Sequence, residues 1–244
     1  MHKRVGHRKT RWWRIASALA IVAATVAVVM GTLPDAKDPK YGDHIRKAGA
    51  ALQFSYSPEE AKQRLDTAEQ HGKIGEARKS IAQDYIFVIP IYVLVFLLMA
   101  QSAHRRGARK AALLIAIAIL LAAAVDVLEN LHMSAIIDRH AGGVSPAGFA
   151  AVHRRMHWLM SVKWTAIFVA MLGACVLFGP GSRAAIPNRA LGIVISLVFG
   201  AGALVGLAGV FTHHGRLVWQ YAGSALLFGM MIYAVLRMLR PDDV

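Results

Sequence analysis

The sequence predicts an all-α membrane bundle of about six transmembrane helices, and three observations carry that prediction. The first is a set of near-continuous apolar runs, each close to the roughly 17–25 residues that cross a bilayer as a helix. The second is composition. In 244 residues 56% are hydrophobic and 17% charged, and the mean hydropathy is +0.45. A soluble domain of this length would not carry several such runs. The third is the sorting of basic residues onto alternate connections, described below. One membrane domain, 1–244, accounts for the length.

Residues 1–14, MHKRVGHRKTRWWR, are basic and end in a tryptophan pair suited to an interface. Residues 15–33 form the first apolar span. Its basic start and apolar middle match the grammar of a signal peptide, but the run is long for one and no clear A-x-A site closes it. It is therefore expected to remain as a span, with cleavage the alternative. Residues 34–83 are a polar outer segment. Within it Ser57-Pro58-Glu59-Glu60 has the residues of a helix start, with serine as N-cap and proline at the first helical position. Ala61, Leu65 and Ala68 then mark one apolar stripe, and Gly72 is the expected stop. Further spans are expected at 84–101, 111–137, 157–178, 190–211 and 217–239.

With the N-terminus placed in the cytoplasm, the inner segments hold Lys3, Arg4, Arg8, Lys9, Arg11, Arg14, Arg105, Arg106, Arg109, Lys110, Arg183, Arg189, Arg237 and Arg240. Only Asp242 and Asp243 oppose them there, while the outer segments are nearly balanced. This is the positive-inside pattern, with both termini cytoplasmic. The net charge of +14 thus reports orientation and contact with anionic membrane lipid. No single basic face or nucleic-acid module accompanies it, which argues against a nucleic-acid partner. Cys175, the one cysteine, cannot form an intrachain disulfide.

Polar residues interrupt the spans at one depth. Ala111 to Val125 is free of polar side chains, and Asp126, Glu129 and Asn130 follow at i, i+3 and i+4, on one face of a helix. At about 1.5 Å per residue, Asp126 lies roughly 22 Å along the third span, in the outer half of a core about 30 Å thick. Lys163 lies roughly 8 Å into the fourth span from its outer end, level with Asp126. Asp84 stands at the outer entrance of the second span, with Pro90 and then Tyr92 beyond it. An ionised carboxylate in hydrocarbon costs roughly 2.5–3.5 kcal/mol on insertion scales, so each needs a partner, a proton or a cavity. Two readings follow. In one, Lys163 neutralises a carboxylate and the group is a buried ion-pair network that fixes helix register. In the other, two carboxylates facing one lysine form a pocket suited to acid–base work. There Asp126, Glu129 and Lys163 are the candidate catalytic residues, and Asp84, Tyr92 and Asn130 the candidate binding residues.

His132, His140, His153, His157, His213 and His214 all fall at or near the outer side. His153 and His157, at i and i+4, have a spacing that can hold metal, with His213 and His214 as further ligands in that weaker alternative, a zinc-type or haem site. Interface residues are the expected role. No cofactor is expected, since no phosphate loop, nucleophile elbow or dinucleotide fingerprint occurs. Gly200, Gly202, Gly206 and Gly209 give small-xxx-small spacing in the fifth span, fit for close packing inside the bundle, against a second copy, or against a partner membrane helix.

Four stretches, Phe54-Ser55-Tyr56-Ser57-Pro58-Glu59-Glu60-Ala61, Asp84-Tyr85-Ile86-Phe87-Val88-Ile89-Pro90-Ile91-Tyr92, Asp126-Val127-Leu128-Glu129-Asn130 and Lys163-Trp164, resemble a widespread group of bacterial four-helix membrane proteins with no assigned biochemical activity. The resemblance covers roughly residues 15–178. It implies a bacterial cytoplasmic-membrane protein and carries over Asp84, Tyr92, Asp126, Glu129, Asn130 and Lys163. The chain departs from that group by its two spans after residue 189 and by lacking a tyrosine near Arg78 to Ser80. The expected function is binding or processing of a lipid or small amphiphile at this polar site. The alternatives are a proton-coupled transporter and a non-catalytic membrane subunit with structural ion pairs.

Overall fold

The computed structural model describes residues 52, 53, 55, 57–142, 145–179, 189–212 and 217–239. The expected span at 15–33, His213 and His214, and both termini lie outside the described residues. Every regular element among the described residues is helical.

Helix α1, Pro58–Gln70, starts as its sequence predicts: Ser57 is the N-cap and its hydroxyl accepts from the Glu60 backbone N–H at 3.0 Å. Hydrogen bonds from its own backbone N–H and from the Ser57 hydroxyl hold the Glu59 carboxyl below its usual range. The helix stops at Gly72, whose φ of +64° is the left-handed conformation that glycine adopts without cost. Lys73 N–H bonds back to Ala68 O at 2.6 Å and Gly72 N–H to Glu69 O at 2.9 Å, the paired closure of a Schellman motif. Gly107, at φ +80°, repeats that closure, with Ala108 N–H on Ala103 O at 2.9 Å and Gly107 N–H on His104 O at 3.0 Å.

Between these two stops the chain is continuously helical: α2, Ile74–Gln83, a π-helical turn, Asp84–Val88, and α3, Ile89–Arg105. The π turn lies immediately before Pro90. A proline has no N–H to return to the preceding turn, and here the ladder widens so that the Ile89 N–H reaches Asp84 O. Helix α4 is Arg109–Ala141 and α5 is Pro146–Phe178. Helix α6 is Arg189–Phe211, and a second π turn, Leu217–Ala222, leads into α7, Gly223–Leu239.

Two boundaries differ from expectation. The second expected span begins within a longer helix, since the polar α2 runs into it without a break. Helix α5 begins eleven residues before 157, because Ser145 and Pro146 repeat the start of α1. Gly148 N–H reaches Ser145 Oγ at 3.4 Å and Phe149 N–H reaches Ser145 O at 3.1 Å. The segment expected as a loop before 157 thus continues the apolar stripe of the span, with Phe149, Val152 and Met156 buried.

Among the described residues four helical stretches are long and apolar enough to cross a membrane: Ile74–Arg105, Arg109–Ala141, Pro146–Phe178 and Leu191–Phe211. Gly223–Leu236 is a shorter apolar helix. On α4, Leu113, Leu114, Ile117, Leu120, Leu121, Leu128 and Leu131 are all exposed. Such a continuous apolar stripe on the outside fits lipid as the surrounding solvent. These features are those of a multi-pass α-helical membrane protein. At about 1.5 Å per residue, the 33 residues of α4 and of α5 make helices about 50 Å long, more than the roughly 30 Å hydrocarbon core requires.

The described residues fall into two compact units, drawn from Pro90–Leu121 with Trp164–Val244 and from Thr32–Ile89 with Ala122–Lys163. In the first, Phe96 meets Phe199 at 5.8 Å between ring centroids and Phe178 meets Tyr233 at 5.7 Å. The buried Tyr233 hydroxyl lies 3.0 Å from Ser102 Oγ, which satisfies both polar groups. In the second, Leu52, Leu65 and Ile81 pack with Met133, Ile136 and Ile137 of α4 and with Phe149, Val152 and Met156 of α5. The apolar stripe of α1 therefore enters a protein core.

Candidate functional site

One face of α4 within the second unit is buried at Val125, Asp126, Glu129, Asn130 and Met133, whereas Val127, Leu128 and Leu131 are exposed. The helical period alone sends the polar residues inward. On α5 the buried stripe Met156, Leu159, Met160 and Lys163 does the same for the lysine.

Lys163 Nζ stands 2.9 Å from Asp126 Oδ1 and 2.6 Å from Glu129 Oε2. The side chains of Lys163 and Asp126 are each 4% exposed and that of Glu129 is 0%. Of the two arrangements expected from the sequence, one carboxylate neutralised or two facing one lysine, the structure has the second: the ammonium bridges both. One helical turn separates the two residues, so an ammonium between them reaches both without distorting α4. The other oxygen of Glu129 is also engaged: Gln53 Nε2 donates to Oε1 at 2.6 Å.

Asp84 is half-buried and belongs to the same electrostatic group, since Lys163 and Asp126 both act on its carboxyl. The Asn130 amide faces that carboxyl. Asn130 is fully buried, and neither Nδ2 nor Oδ1 completes a well-formed hydrogen bond. Tyr85, next to Asp84, donates from its hydroxyl to Val127 O at 3.2 Å and so pins the π turn to α4. Among the residues singled out from the sequence, Asp84, Asp126, Glu129, Asn130 and Lys163 thus belong to one unit and interact. Tyr92 is buried and belongs to the first unit.

Gln53 was not foreseen. It is a single glutamine in the outer segment with no periodicity to set it apart, and only its long-range contact with α4 reveals it. Ser55 and His153 form a second unforeseen pair, with His153 Nε2 3.1 Å from Ser55 O and 3.2 Å from Ser55 Oγ. Ser55 Oγ itself donates to Leu52 O at 2.6 Å. Both residues are buried, so His153 fastens the stretch ahead of α1 where an interface residue was expected. Its ring stacks on that of His157 at 6.4 Å between centroids. His140 Nε2 lies 3.0 Å from Glu69 Oε2. No group of three or more metal-suited side chains occurs among the described residues. The alternative ligands His213 and His214 are outside them.

No protein-family model, curated protein or solved structure matches the chain.

The cluster combines a buried ammonium shared by two carboxylates, a third carboxylate that is partly open, and a buried amide with unmet hydrogen-bonding capacity. Chemically it can hold a polar group in an apolar setting, and it can give or take a proton there.

Proposed function

We propose that the chain is a multi-pass protein of the bacterial cytoplasmic membrane that binds or processes a lipid or small amphiphile by its polar headgroup. Both termini are cytoplasmic and the Asp84, Asp126, Glu129, Asn130 and Lys163 cluster lies in the outer half of the bilayer. The observation that carries this reading is Asn130, a fully buried amide lacking a well-formed hydrogen bond beside the half-buried Asp84. A buried polar atom left unsatisfied costs roughly 1–3 kcal/mol, which a headgroup would return. In processing, a carboxylate of the cluster is the general base and Lys163 stabilises developing negative charge. The resemblance to bacterial four-helix membrane proteins supports the location.

The closed pairing of Lys163 with Asp126, Glu129 and, through Glu129, Gln53 favours a second reading, in which the charges serve the fold alone. Native mass spectrometry of the protein released from detergent separates the two. Retained lipid or amphiphile is expected on the parent chain and reduced on Asn130→Leu, with the folded fraction monitored by thermal unfolding. A parent chain that carries none, and an Asn130→Leu that is as stable as the parent or more so, would leave the structural reading standing.

Orientation has its own test. Single cysteines at Gly107 and Gln70, introduced with Cys175 replaced, are expected to react with an impermeant thiol reagent from opposite sides of the membrane. Labelling of both from one side would sink the topology.

A further inference from the structure

We infer that the ligand of this cluster carries a cationic nitrogen, an organic ammonium, and that Asp84 at the π-helical turn is the residue that receives it. The inference rests on the proposed binding function and specifies the class of headgroup.

Three observations lead to it. Among the described residues the carboxylates of Asp84, Asp126 and Glu129 share one ammonium, that of Lys163. Lys163 is already within contact distance of Asp126 and Glu129, so the carboxylate of the three that is not in contact with the ammonium is Asp84. It is also the least buried of the three, half-buried where Asp126 and Glu129 are buried. An anionic headgroup entering there would meet a carboxylate first.

The second observation is Asn130. Its amide faces Asp84, and whichever end does so leaves the other without a partner. With Nδ2 toward the carboxylate, Oδ1 remains as a buried acceptor beside it. A carboxylate and an amide oxygen in one cluster together supply acceptors for a group with two or more N–H donors, as a primary ammonium has.

The third is the setting of Asp84. The π turn that carries it also carries Ile86, Phe87 and Val88, exposed by 64%, 49% and 40%. An amphiphile whose head reaches Asp84 can lay its tail along these side chains. Tyr85, bonded to α4 through Val127 O, keeps the turn in place. A π turn widens the helix locally, and such turns recur at binding sites.

The test uses the full chain in uncharged dodecyl maltoside micelles, with thermal midpoint and tryptophan fluorescence read during titration. The probes are octylammonium, octanoate, octanol and ethylammonium. Saturable stabilisation by octylammonium is expected, with ethylammonium weaker and octanoate and octanol without effect. Asp84→Asn should weaken octylammonium about tenfold or more, the loss of one charge-assisted hydrogen bond, while Glu76→Gln, which changes an acidic side chain of the preceding α2, should not. Asn130→Leu should also weaken it without altering the ranking of the probes.

Each other outcome overturns something specific. Octanoate or octanol equalling octylammonium ends the ammonium assignment and leaves amphiphile binding standing. Ethylammonium equalling octylammonium leaves the assignment standing and ends the amphiphile reading, since the tail would contribute nothing. Octylammonium binding unchanged in Asp84→Asn ends the assignment of the residue. No saturable response to any probe ends both.

Discussion

Lys163→Met is expected to lower stability by roughly 3–5 kcal/mol, the cost of breaking a buried ion pair by removing one partner. Methionine fills a volume similar to the lysine stem, so the loss is electrostatic rather than a cavity effect. Two carboxylates, Asp126 and Glu129, would be left one turn apart and buried, with the ammonium 2.9 and 2.6 Å from them removed. Glu129→Gln acts in the opposite sense on the same balance. It leaves Lys163 and Asp126 as a one-to-one pair and keeps an oxygen for the lysine, so its effect on stability should be much smaller. Asp126→Asn should cost more than Glu129→Gln, because a glutamine at 129 that keeps its oxygen toward the lysine can donate its own N–H to Gln53 once the Gln53 amide, now the donor, turns over to present its oxygen. Adding Glu129→Gln to Lys163→Met removes one of the two orphaned charges and should recover part of the loss, a non-additivity that contact between the residues requires. Thermal unfolding of the four variants in detergent measures all of this. Equal losses in Lys163→Met and Glu129→Gln, with no recovery in the double variant, would show that the charges are not coupled as their distances imply.

The same measurements bear on function. A structural network predicts that stability is the whole phenotype. A binding site predicts that Glu129→Gln, mild for folding, still alters ligand retention or turnover. That divergence is the signature to look for, and retained ligand alone suffices to read it.

The cluster was legible in the sequence because membrane burial makes polar residues conspicuous. Asp126, Glu129 and Asn130 follow fifteen apolar positions, and the helical period assigns them one face. Lys163 was matched to them by depth alone, and their contact distances agree with that match. Gln53 and Ser55 were illegible for the converse reason. A lone polar residue in a segment without helical periodicity has no face to be assigned to, although both are buried. The true start of α5 was hidden by His153, Arg154 and Arg155, which lower an apolar window average while facing away from or into polar partners. The Ser145-Pro146 cap was the better guide. The π turn before Pro90 was equally out of reach, because proline announces a missing donor but not how the ladder rearranges around it.

Gly206→Ala should be the most damaging single-methyl addition in the first unit. A Cβ at Gly206 would clash with Cζ, Cε1 and Cε2 of the Phe168 ring. Phe168 is fully buried and stacked on Trp164 at 5.6 Å between centroids and 29° between planes, so the ring has no open space into which to turn. Overpacking of a tight core costs about 1–3 kcal/mol and occasionally more, and a ring fixed by a second ring belongs at the upper end. A Cβ at Gly202 would meet Ala225 Cβ at 2.6 Å and one at Gly200 would lie 3.0 Å from Cys175 Sγ. These three glycines are thus used within the chain, and any contact of α6 with a second copy or partner helix falls to its exposed side, where Leu197 and Leu204 lie. Gly75 supplies the contrast. Nothing lies within 4 Å of a Cβ there, so Gly75→Ala should be neutral or slightly stabilising through helix propensity. Phe168→Leu alone should leave a gap and destabilise, but combined with Gly206→Ala it should cost less than the two changes summed, since the added methyl occupies part of the space the ring vacates. Thermal midpoints of the four variants decide the matter. A Gly206→Ala chain that unfolds at the parent temperature would mean that α6 and α5 are not packed through this contact.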